Sequence, residues 1–176
     1  MGLEDLSKED IQSLIQRASH FLEAGNRYEP NAPLSGKIIA NLFMENSTRT
    51  RCSFTIATRR LGGDCIDLLG GTSSASKGET LVDTAMNLEA MGAVGIAVRC
   101  SEESGPSDIA ANVGIPVINA GSGTASHPTQ ALLDAGTLLR HFGCDDLSGQ
   151  HIAIVGDIIH SRVARSNVIG LTKLGA

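Results

Sequence analysis

The chain has 176 residues, 41% of them hydrophobic but only 3% aromatic, no Trp, and a formal net charge of −5. That length fits one domain and part of another, since domains cluster near ~100–150 residues, and the core must be aliphatic. An acidic balance without a basic stripe argues against nucleic-acid and anionic-membrane surfaces, no run approaches the ~20 apolar residues of a membrane span, and the polar start from Met1 to Asp10 is unlike a signal peptide.

From Ser7 to Ala24, apolar residues at Ile11, Leu14, Ile15, Ala18 and Leu22 have the spacing of an amphipathic helix, with Ser7 as N-cap and Asp10 three residues on. Lys37–Phe43 is short, apolar and β-prone, a buried strand. Ser47–Leu61 suits a helix, Asp64–Leu69 a second strand and Glu79–Met91 a second helix of this region. Val94–Val98 is a third strand, Ser107–Asn112 a short helix, Pro116–Asn119 a fourth strand, and His127–Phe142 a long closing helix. Alternating units with near-continuous apolar strands predict an α/β fold, a parallel sheet flanked by helices. Ligands of such sheets bind at the carboxyl ends of the strands. The polar chemistry falls there: after Phe43, after Leu69, at Arg99 and after Asn119.

Past Leu147-Ser148-Gly149 a second unit opens, with a strand over Gln150–Val155 and a helix over Ser161–Leu174. It reads as the first βα unit of a Rossmann-like domain. One such unit cannot enclose a core, so the sequence reads as truncated at Ala176, with domains at 1–146 and 147–176. Cys52, Cys65, Cys100 and Cys144 form no C-x-x-C pair. A zinc site is therefore not expected, and a reducing cytoplasm is the simplest setting.

The densest chemistry is Phe43-Met44-Glu45-Asn46-Ser47-Thr48-Arg49-Thr50-Arg51-Cys52-Ser53-Phe54. Small hydroxyl residues where a strand turns into a helix leave backbone N–H groups aimed outward at the positive helix end, a ready anion site. Ser47 and Thr48 add hydroxyl donors, and Arg49 adds a planar fork suited to phosphate. Taken alone, the turn is better explained by Ser47 capping the helix and Arg49 and Arg51 facing water.

Ser47-Thr48-Arg49-Thr50-Arg51, followed in order by Asn119-Ala120-Gly121-Ser122-Gly123 and His127-Pro128-Thr129-Gln130, resembles the aspartate and ornithine carbamoyltransferases along nearly the whole chain. The resemblance implies that Ser47, Thr48, Arg49 and Thr50 hold the phosphate of carbamoyl phosphate, with Arg49 and Thr50 also reaching the carbonyl. It gives Arg99 a second guanidinium role on the phosphate, His127 a hydrogen bond to the carbamoyl oxygen, and Gln130 acceptance from the carbamoyl NH₂. The loop Gly70–Thr80 would carry Ser73 and Lys77 into a neighbouring subunit's site, making active sites shared across a homotrimer. Ser76 stands where some relatives have a further Lys, and Arg99-Cys100-Ser101 where many bacterial members read Arg-His-Pro.

Gly156-Asp157-Ile158-Ile159-His160-Ser161-Arg162 resembles the opening turn of the family's aspartate domain, where Arg162 binds a carboxylate alongside Lys77. The implied reaction transfers the carbamoyl group of carbamoyl phosphate to L-aspartate, an early step of pyrimidine synthesis, without metal or cofactor. Arg49, Thr50, His127 and Lys77 are its expected catalytic residues. Regulatory or dihydroorotase chains are open as partners, nucleic acid and membrane are not, and residues 1–176 alone should turn over negligibly. Thr129 and Lys77 favour aspartate over ornithine, whose enzymes read His-Pro-Cys-Gln and lack the loop lysine. A dinucleotide-binding domain is the rival from another class, but Ser126 stands where the last glycine of Gly121-Ser122-Gly123 would belong. A non-catalytic chain that only binds carbamoyl phosphate is the third reading; the intact motif residues argue against it.

Overall fold

A computed structural model describes residues 2–23, 31–70 and 79–176. They form two compact units, Asn26–Ser122, and Met1–Gly25 together with Gly123–Ala176.

The first of these units is built on a parallel sheet of β1 (Ile38–Phe43), β2 (Asp64–Leu69), β3 (Ala93–Cys100) and β4 (Val117–Ser122), ordered β2-β1-β3-β4. Its helices are α2 (Thr48–Arg60), α3 (Leu81–Ala90) and α4 (Gly105–Asn112). Ala40 to Phe43 are all buried, as a central parallel strand covered on both faces requires. Successive side chains point to opposite faces. Ala40 and Leu42 join Ile96 and Val98 in a core with Ala85 and Leu88 of α3 and Ile109 of α4. On the other face Phe43 clusters with Ala97 and Ala120 and packs against Phe54 of α2. Asn41 shares that second face and binds Thr55 of α2. Register puts Phe43 beside both Leu69 and Arg99, so three strands end together at one rim. Gly70 lies there so close to β1's continuation that a Cβ would stand 2.8 Å from the Met44 carbonyl oxygen.

The other unit contains α1 (Lys8–Glu23), α5 (Pro128–Phe142) and α6 (Arg162–Lys173). Ile11, Ala135, Leu139, Leu147, Leu171 and Leu174 are its core. Ser7 and Asp10 cap α1 reciprocally, as expected. Gly143 ends α5 in the left-handed conformation at φ 65°, which glycine adopts without Cβ strain. At the far end of α6, the Lys173 ammonium donates to the carbonyls of Leu3, Glu4 and Leu6 at 2.8, 2.6 and 2.6 Å.

The helices and four strands of the sheet lie close to their expected bounds. The strand expected over Gln150–Val155 does not form: these residues have no regular secondary structure, and Val155 is 94% exposed. A strand is completed by a neighbour's ladder of hydrogen bonds, and no described strand pairs with this segment. Among the described residues no helix is long and apolar enough to cross a membrane, and no three His, Cys, Asp or Glu are grouped to hold a metal ion.

Candidate functional site

In unit Asn26–Ser122 the chemistry gathers at the strand ends. Ser47 is the N-cap residue of α2, but its side chain makes no cap hydrogen bond. The Ser47 hydroxyl instead donates to Thr50 Oγ at 2.9 Å. The reading of Ser47 as a cap is therefore not met, and the first-turn N–H groups of Thr48, Arg49 and Thr50 carry no side-chain cap. Thr80 of α3, by contrast, makes a complete capping box with Asp83, whose carboxyl those hydrogen bonds hold below the usual carboxylate range. A missing cap alone decides nothing, because Ser104 of α4 also lacks one. The α2 turn differs in what stands beside it.

Arg99 ends β3, directly next to Phe43 of β1, and its carbonyl accepts from Met44 N–H at 2.8 Å. Its side chain is only 15% exposed. The buried Nε lies 3.4 Å from Glu45 Oε2, within ion-pair range but without hydrogen-bond geometry, and one terminal nitrogen donates to the Ala120 carbonyl. A largely desolvated guanidinium thus shares the rim with the α2 turn, while Arg49 and Thr48 are exposed. Arg51, the second motif arginine, points elsewhere: its Nε is 3.6 Å from Asp67 Oδ2. Asp67 Oδ1 accepts from Asn41 Nδ2 at 2.8 Å, and the same amide donates to Thr55 at 3.0 Å. This network ties α2 to β1 and β2. Ser73 and Lys77 lie outside the described residues.

In the unit containing α5, His127 is buried and is the N-cap residue of that helix, again without a side-chain cap; Pro128 follows at N1. Its backbone N–H donates to Ser166 Oγ of α6 at 2.9 Å. Thr129 Oγ stands 3.4 Å from His127 Nδ1. Gln130 Nε2 donates to Asp134 Oδ1 at 2.9 Å, and Asn167 Nδ2 of α6 donates to the other oxygen of Asp134 at 2.8 Å. Arg162 opens α6 and donates to the Gly123 carbonyl at 2.9 Å. Ser166, Asn167, Asp134 and Asn41 were not singled out in sequence. Only the i, i+4 spacing of Gln130 and Asp134 was there to be read.

Residues 1–140 match the family model described as aspartate/ornithine carbamoyltransferase, carbamoyl-P binding domain. The chain belongs to the aspartate/ornithine carbamoyltransferase family. It is 48% identical over 176 residues to the aspartate carbamoyltransferase catalytic subunit of Desulfotalea psychrophila, covering 99% of this chain and 55% of that one. With the corresponding subunit of Solibacter usitatus the identity is 49%, over all of this chain and 58% of that one. Among solved structures, Trypanosoma cruzi aspartate transcarbamoylase in complex with carbamoyl phosphate and aspartate superposes with a TM-score of 0.88 at 34% identity, over 99% of this chain and 54% of that one. The catalytic subunit of M. Jannaschii aspartate transcarbamoylase gives a TM-score of 0.89 at 37% identity, over 99% of this chain and 56% of that one. This carbamoyltransferase-family chain spans about half the length of the curated relatives it matches.

Proposed function

We propose that this chain is the carbamoyl-phosphate-binding part of an aspartate carbamoyltransferase, which joins carbamoyl phosphate and L-aspartate into N-carbamoyl-L-aspartate and phosphate. The observation that carries the reading is the α2 turn without a side-chain cap, at the same sheet rim as the mostly buried Arg99. Outward amide donors and guanidinium groups are what a small dianion needs. Relatives named as catalytic subunits of this enzyme, and a structural neighbour complexed with both substrates, support the choice.

In this reading Ser47, Thr48, Arg49 and Thr50 hold the phosphate from the helix end, and Arg99 exchanges its contact with Glu45 for phosphate oxygens. His127 donates to the carbamoyl oxygen, and Gln130 accepts from the carbamoyl NH₂. Arg162 and Lys77 bind aspartate carboxylates, with Ser73 and Lys77 supplied by a neighbouring subunit of a homotrimer. Residues 1–146 form the carbamoyl-phosphate domain, and 147–176 begin the aspartate domain. The neutral amine of aspartate attacks the carbamoyl carbon, electrons move onto the carbonyl oxygen, and collapse of that oxyanion breaks the C–O bond to phosphate, with an oxygen of the departing phosphate taking the amine's proton. Arg49, Thr50 and His127 stabilise the oxyanion; removing one such donor typically lowers the rate by ~10²–10³. Lys77, Arg49 and Arg99 offset charge on the departing phosphate, and proximity supplies much of the rest. The proposed setting is the cytoplasm, and the product feeds pyrimidine synthesis.

The test is carbamoyl transfer by the complete protein, offered aspartate and ornithine separately. Formation of N-carbamoyl-L-aspartate alone is expected, with residues 1–176 by themselves giving negligible turnover. Citrulline as the main product, or no transfer to either amine, overturns the assignment.

A further inference from the structure

α6 supports the first turns of α5 through two consecutive residues. Ser166 accepts from the backbone N–H of His127, and Asn167 holds the carboxylate that in turn holds Gln130. A Gln–Asp pair four residues apart is ordinary on a helix surface. Here a second helix grips the same carboxylate at its other oxygen, so Asp134 has one fixed place between two amides. An ionised carboxylate only accepts hydrogen bonds, whereas a carboxamide has an accepting end and a donating end. Asp134 must therefore face Nε2 of Gln130, and the amide's Oε1 is left on the opposite side. The burial of Asn167 Oδ1 without a hydrogen-bond partner says that this alignment is kept although it leaves an acceptor unsatisfied on α6.

We propose that Asp134 is a positioning residue which, clamped by Asn167, sets the polarity of the Gln130 amide and thereby makes the site select an acyl phosphate bearing an NH₂ donor. This rests on the reading of Gln130 as a ligand of the carbamoyl group and goes beyond it by naming what orients that amide. A site whose acceptor is fixed in advance discriminates against an isostere lacking the donor, since the acceptor is then left unpaired. Acetyl phosphate is that isostere, with a methyl group where carbamoyl phosphate has NH₂.

The experiment is calorimetric titration of the full chain with carbamoyl phosphate, acetyl phosphate and inorganic phosphate, for the wild type and for Asp134→Leu, Asp134→Asn and Asn167→Ala. Freeing the Gln130 side chain returns one rotamer-rich group to disorder, so Asp134→Leu should weaken carbamoyl phosphate by about 5- to 10-fold. Acetyl phosphate and phosphate should be unaffected. In Asp134→Asn the amide can still accept from Gln130, and a loss of about twofold is expected from its two available orientations. Asn167→Ala, which leaves Asp134 charged but released on one side, should lose an intermediate amount and serves if Asp134→Leu does not fold. Selectivity for carbamoyl over acetyl phosphate that is unchanged from the wild type in Asp134→Leu, or in Asn167→Ala where only that variant folds, overturns the proposal. So does an equal loss for all three ligands, which would mark a structural role. A wild type that binds phosphate but does not prefer carbamoyl phosphate overturns this inference alone, and one that binds none of the three overturns the functional reading with it.

Discussion

Replacing Asn41 with Ala would test whether a buried polar network holds the α2 turn in place. Asn41 is fully buried in the middle of β1, donates to the Asp67 carboxylate and to Thr55, and has a buried Oδ1 without a hydrogen-bond partner. The bond to a charged acceptor contributes ~1.5–3 kcal/mol and the neutral one ~0.5–1.5 kcal/mol. Removing the unsatisfied oxygen returns ~1–3 kcal/mol, and the small cavity left behind costs about 1 kcal/mol. Asp67, with a side chain 37% exposed, can recruit water, so it adds little desolvation penalty of its own. The net expectation is a loss of ~2 kcal/mol, or a fall of ~4–8 °C in Tm for a chain of this size. Unfolding would be followed by far-UV circular dichroism, since the sequence has no Trp and a single Tyr. Asn41→Leu, which fills the space without an orphan oxygen, should lose about half as much. Because Arg51 and Thr55 belong to α2, phosphate affinity should fall ~3- to 10-fold alongside stability. An Asn41→Ala protein within ~0.5 kcal/mol of wild type would refute the energetic reasoning. A destabilised variant with unchanged phosphate affinity would refute the link to the turn.

The cysteines should separate cleanly in alkylation. Cys52 is exposed, while Cys100 is fully buried and its thiol is pushed up to about 11 by burial and by the neighbouring Glu102. Since the thiolate is the nucleophile, iodoacetamide at neutral pH should label Cys52 and spare Cys100 until the chain unfolds, as mass spectrometry of peptides would report. Lys173→Met should lower stability by ~2–3 kcal/mol in chemical denaturation, because it takes a charged donor from the three carbonyls of Leu3, Glu4 and Leu6. A loss below ~0.5 kcal/mol would mean that water replaces the ammonium without penalty.

Much of the fold was legible because its signals are local. The period of Ile11, Leu14, Ile15 and Ala18 is carried by the helix itself, and Ile38–Phe43 is apolar because both faces of the strand are covered. What failed was non-local. Gln150–Val155 has the composition of a strand, but strand formation is decided by a partner, and no strand among the described residues pairs with it. β3 runs on through Arg99 to Cys100, past the apolar run that marked it, because backbone pairing continues to Ser122 regardless of side-chain polarity.

The candidate site divides in the same way. The turn from Ser47 to Thr50 stood out because amide donors at a helix start follow from chain order, but its reading as a phosphate site came only with the resemblance to the carbamoyltransferases. The supports of the site could not. Ser166 and Asn167 are tied to α5 only by the packing of α6, and Asp67 meets Arg51 only because β2 lies beside β1. Composition had also left Ser47 as a helix cap, whereas its hydroxyl is engaged by Thr50.

The most direct test is a crystal structure of the complete protein grown with carbamoyl phosphate. The account predicts phosphate oxygens within ~3 Å of the first-turn amides of α2, with the Arg49 and Arg99 guanidinium groups turned onto them. Carbamoyl phosphate bound elsewhere, with the Ser47–Thr50 turn unoccupied and Arg99 still against Glu45, would contradict it.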